Sequence, residues 1–195
     1  MMKFRFIAIC VLLISLLNEG AAFVFGEESK SKAVSMPIDR EEIIRVFKEA
    51  VRLNEEFKGT AASADNLRAF QDYQDKRKVV EEYHEEKHIP RLRECVRLLS
   101  SQKDLVVAEE LFKMLLSHEN SADEELSYSL GSVFLRNPDV IIETFAKFPK
   151  LEQRQLYARL EWGWENVIYG KNKTTPRVVD RAKRLKQLKA KVSSD

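Results

Sequence analysis

The 195 residues carry 33 Lys and Arg against 31 Asp and Glu, a net charge of +2, and this near balance gives no general reason to bind nucleic acid. Of the two cysteines, Cys10 lies in an N-terminal apolar run, so Cys95 is alone in the rest of the chain and no internal disulfide can staple the fold. Six glycines leave little room for phosphate-binding loops, and the sequence holds no G-x-S-x-G, no dinucleotide fingerprint and no paired-cysteine metal framework.

Met1 to Arg5 carries Lys3 and Arg5 and no acid, and Phe6 to Leu17 is then charge-free and apolar except for Ser15. That run is shorter than the roughly 20 residues a bilayer span needs, but it suits the apolar region of a secretory signal. Gly20-Ala21-Ala22 places small residues at −3 and −1 of a cleavage site after Ala22. An uncleaved anchor is the competing reading, and Asn18, Glu19 and Gly20 count against it. The expectation is an exported protein, periplasmic or secreted, with a signal over 1–22 and a flexible polar lead-in over 23–37. Residues 38–195 then form a single helical domain, long enough to bury a sizeable core.

Asp39 and Glu42 make a capping box ahead of Ile43, Ile44, Val46, Phe47, Ala50, Val51 and Phe57, which recur at helical spacing up to Gly59. A second, more polar helix begins near Ser63 with Leu67, Phe70, Tyr73, Val79, Val80 and Tyr83, and Pro90 is expected to end it. Pro90 can also open the third helix, whose stripe is Leu92, Cys95, Val96 and Leu99; Cys95 there reads as a small core residue. The fourth helix runs from about Lys103 to Ser117. Ser121 and Glu124 cap a fifth that carries Leu126, Leu130, Val133 and Phe134. Asn137-Pro138 reads as cap and first turn of a sixth, with Ile141, Ile142 and Phe145. The seventh follows Pro149, and Thr175-Pro176 opens the eighth. No strand or hairpin signal occurs. The fold class expected is all-α: about eight antiparallel helices in an irregular bundle or a short α-solenoid-like array.

Three features could carry chemistry. His84-Glu85-Glu86-Lys87-His88 resembles the H-E-x-x-H motif of zincin metallopeptidases. The resemblance implies His84 and His88 as zinc ligands on one helix face and Glu85 as the base that activates a metal-bound water. It covers five residues, its middle positions are charged, and Pro90 follows where the motif helix normally continues. A third ligand would have to come from Glu109 or Glu110, or from His118 if its loop folds back. The competing reading is an exposed Glu-rich helix end.

The seventh helix is apolar on two sides. Leu156, Leu160, Trp164, Val167 and Ile168 share one broad face, and Leu151, Ala158, Trp162 and Tyr169 share nearly the opposite one. The second stripe is either packed internally or offered to a partner through Trp162 and Tyr169. Gly163 in the helix interior costs about 1 kcal/mol relative to Ala, which implies another backbone passing close by. The eighth helix has a basic face that includes Arg181, Arg184 and Lys186, suited to an anionic membrane surface, an acidic partner or plain solvation over a packed apolar stripe. Asn172-Lys173-Thr174 is an N-glycosylation sequon if the protein is eukaryotic.

Taken together these features point to a non-catalytic exported domain that binds another protein or peptide and needs no cofactor. A zinc-dependent hydrolase and a peripheral membrane-surface protein are the alternatives.

Overall fold

The computed structural model describes residues 38–58, 67–118, 124–171 and 173–194. The expected signal and lead-in (1–37), Gly59, Ser63, Ser121 and Asn172 lie outside the described residues. Within them the chain is all helical and has no strand. The helices are α1 Arg40–Lys58, α2 Leu67–Tyr83, α3 Ile89–Ser101, α4 Leu105–Ser117, α5 Glu124–Arg136, α6 Pro138–Phe145, α7 Lys150–Ile168 and α8 Pro176–Ser193.

The expected break at Pro90 does not occur. Proline lacks the N–H that would reach back four residues, and its ring crowds the carbonyl there. The chain absorbs this one turn earlier: the Ile89 N–H bonds to the His84 carbonyl, five residues back, and His84–His88 widens into a π turn. Through that turn α2 and α3 join into one continuous helix, so the eight segments form seven rods.

Local sequence explains most of the remaining boundaries. Asp39 Oδ1 accepts from the Glu42 N–H at 3.0 Å, the cap expected ahead of α1. Asp104, not anticipated, caps α4 by accepting from Val106 and Val107, each at 3.1 Å, while the Arg40 guanidinium ties it to α1 at 2.5 Å. Asn137 precedes α6 as expected but does not cap it. Its amide instead donates to the Leu99 carbonyl at 2.9 Å and the Gln102 carbonyl at 3.1 Å, satisfying the open end of α3.

Helices α1, α3, α5 and α7 pack in sequence as one row. A second row holds α4, α6 and α8, and α1 also packs on α4. The core between them contains fully buried Phe47, Phe112, Phe134 and Phe145, each adding roughly 1.5–3 kcal/mol by leaving water. Cys95 is buried in it, and that burial pushes its thiol far above the usual range, so it is an inert core residue.

The most extensive interface, α5 on α7, is a glycine crossing. A Cβ built on Gly163 would stand 1.8 Å from the Ser127 carbonyl oxygen, and one on Gly131 would stand 2.4 Å from the Gly163 carbonyl carbon. The close neighbour that Gly163 implied is therefore the backbone of α5. By contrast α2 has no buried residue among those whose side chains are described; it lies against α1 through Tyr73 on Phe57, ring centroids 5.0 Å apart, and through the Tyr83 hydroxyl on the Val46 carbonyl.

Candidate functional site

All three histidines of the chain meet beside α1. The π turn sets the His84 and His88 rings side by side, with Nδ1 of each 2.7 Å apart and centroids at 4.6 Å. His118, the residue that ends α4, brings its ring to 6.0 Å from His84 and 6.4 Å from His88. His118 comes close from the end of α4 itself, 30 residues after His88 in the sequence.

Each ring is held from a different side. His88 is fully buried against the edge of Phe47, centroids 5.4 Å apart, and its Nε2 has no hydrogen-bond partner. His118 Nδ1 lies 3.0 Å from the Met114 carbonyl oxygen and 3.2 Å from Asn54 Nδ2. An imidazole nitrogen either donates or accepts. Donation to Met114 is compatible with the rest of the network, because Asn54 Nδ2 then serves Ser117 Oγ at 3.0 Å, and Ser117 Oγ in turn donates to Met114 at 2.9 Å. The Arg159 guanidinium donates to the His118 carbonyl and pins the backbone there. His84 faces an open cleft whose other walls are Ala50, Leu53, Asn54, Val80, Tyr83 and Met114.

Burial, and then the neighbouring His84 and His118 rings, push the His88 imidazole well below the usual histidine range. It is neutral at pH 7, the form that binds metals. As the side chains stand, no group of three or more His, Cys, Asp and Glu among the described residues is arranged to hold a metal ion.

The remaining zincin-like residues are placed otherwise. Glu85 is exposed on the flank of the π turn, whereas His88 points into the core. Glu109 is bound by Lys113 and Lys147, and Glu110 by Lys113, so both candidate third carboxylates are engaged with lysines.

The outer face of α7 is a second feature. Leu156, Leu160, Trp164 and Val167 are buried as expected. The opposite stripe is not packed internally: Leu151 is 69% exposed and Tyr169 86%, Trp162 is partly exposed, and Ala158 is exposed between them. Helix α8 is docked by Val178, Leu185, Leu188 and Val192, while Ala182 is exposed. Two of its basic residues anchor it: Arg181 donates to the Leu135 carbonyl, and Arg184 pairs with Asp139 at 2.6 Å. Lys186 faces solvent. No helix among the described residues is long and apolar enough to cross a membrane.

No family model, curated protein or solved structure matches this chain.

Proposed function

We propose that this is an exported, non-catalytic helical domain that binds protein through the outer face of α7, and that its first occupant is a second copy of the same helix. The two rows of helices support a short α-solenoid-like array over an irregular bundle, and α7 closes one row with its outer stripe uncovered.

The observation that carries the reading is the pattern of that stripe. At about 100° per residue, positions 151, 158, 162 and 169 fall within about 20° of one line along the helix. They are also symmetric about the level of Leu160. An antiparallel pair of α7 helices related by a two-fold axis therefore sets Leu151 of one copy on Tyr169 of the other, and Ala158 on Trp162. A small residue opposes the largest one at the centre, which lets the backbones approach. The flanks are complementary in the same register. Exposed Arg154 comes within one residue's rise, about 1.5 Å, of the level of exposed Glu165 of the second copy on one side, and Gln155 equally near Asn166 on the other. Such an isologous contact is the commonest symmetric interface.

One helix face buries less than the roughly 800 Å² per partner of a standard interface, so the dimer expected is weak and concentration-dependent. Sedimentation velocity across a micromolar concentration series tests it. The wild type should shift from monomer to dimer, and Trp162→Ala and Leu151→Lys should stay monomeric with an unchanged helical circular dichroism spectrum. Arg154→Glu and Glu165→Arg should each weaken the dimer, and the double exchange should restore it. A wild type that stays monomeric throughout, or variants that dimerise unchanged, would refute the assignment.

A further inference from the structure

We infer that His84, His88 and His118 form a binding site for one late first-row divalent metal ion, zinc, copper or nickel in class, built on the π turn and the end of α4. The inference does not depend on the α7 interface.

Three observations carry it. All three histidines of the chain converge, from segments that share no sequence motif. Two of them already bring ring nitrogens to 2.7 Å of each other, a contact that only a shared proton or a bridging cation makes favourable. The third has its Nδ1 engaged by a backbone carbonyl at 3.0 Å. That is the supporting contact metal-bound histidines commonly have, because it fixes the ring and its tautomer.

The donor set selects the ion. Three neutral imidazoles with no carboxylate among them suit zinc, copper and nickel, while calcium and magnesium require oxygen ligands. Metal–nitrogen bonds of about 2.0–2.1 Å in a tetrahedral ion hold two nitrogens about 3.4 Å apart. The His84–His88 pair must therefore open by well under one ångström from its 2.7 Å contact. The larger adjustment falls to His118, which lies at a helix end, outside α4, where the backbone is already non-helical. His84 also lines a small cleft of about 10 Å³, which neither His88 nor His118 lines. Glu85 plays no part in this site. The proposal is for an ion held by three histidines and not for the water-activating arrangement of the zincin motif.

The test uses the full untagged protein, stripped with chelator and titrated with zinc chloride by calorimetry. The expected result is one zinc per chain. His84→Ala and His118→Ala, both at partly exposed positions, should each weaken binding by more than the roughly 10- to 100-fold that loss of a supporting contact costs. Long-range 1H–15N spectra of the wild-type imidazoles provide a readout that needs no variant: three rings should change together on adding one equivalent of zinc. No uptake would overturn the proposal. So would binding that survives His118→Ala unchanged, or a spectrum in which only two rings respond, since either leaves an adventitious histidine pair.

Discussion

Replacing Gly163 by alanine sets two effects against each other, and the structure decides which wins. Within a helix the substitution alone stabilises by up to about 1 kcal/mol, because alanine loses less backbone entropy. The new Cβ would lie 1.8 Å from the Ser127 oxygen and 2.6 Å from its carbonyl carbon, where ordinary contact begins near 3.4 Å. Both are backbone atoms of α5, so no side chain can swing aside. The two helices must part by more than an ångström along the largest interface of the fold, taking Leu130, Phe134, Leu160 and Trp164 out of register. Overpacking of this kind costs typically about 1–3 kcal/mol and sometimes more, and backbone against backbone belongs at the upper end. The net expectation is a loss of about 2–3 kcal/mol, or a fall in Tm of roughly 4–12 °C for a domain this size. Urea unfolding followed by circular dichroism measures it. Gly170→Ala is the comparison: Gly170 has φ +73° and nothing within 4 Å of a built Cβ, so it should lose only about 1 kcal/mol through backbone strain. If Gly163→Ala proves as stable as wild type, helix propensity has won and the close crossing is wrong.

Three further outcomes follow from the same contacts. The unfolded chain protonates a histidine near pH 6.5, but the folded state resists protonating His88; stability should therefore be fully present above pH 6.5 and fall by about 1.4 kcal/mol per unit as pH drops through the window below it. Urea titrations at pH 7.5, 6 and 5 would show this slope, and His88→Leu should flatten it; an unchanged slope would mean that other groups cause the acid loss. Asp104→Ala removes both N-terminal hydrogen bonds of α4 and should cost about 1–2 kcal/mol in the same assay. Asn137→Ala strips two carbonyls at the end of α3 of their donor and should cost a similar amount, about 1–2 kcal/mol, without shortening α6. A marked loss of helix signal confined to α6 would instead restore Asn137 as its cap.

Helix positions and the inner faces were legible because they depend on residues one or two turns apart. The apolar stripes of α1, α3 and α5 repeat at helical spacing, and their residues Ile43, Phe47, Leu92, Leu99, Leu130 and Phe134 are all fully buried. Gly163 was informative for the same reason: a glycine kept inside a helix has a local cost that implies a neighbour. Pro90 misled because a proline's effect on its own turn is local, whereas its relief by a π turn uses the preceding turn's backbone. Asn137 misled because its nearest partner in sequence was not its nearest in space.

The candidate sites divide in the same way. Single-helix geometry was enough to read the described residues as all helical, α7 as apolar on two sides and His84 and His88 as sharing a helix face. Packing between helices set which side of α7 stays uncovered, that Arg181 and Arg184 anchor α8, and that the His118 ring comes within 6.0 Å of His84 and 6.4 Å of His88. Those outcomes depend on how α1, α4 and the π turn pack against one another, and packing between segments tens of residues apart leaves no periodic mark on the sequence.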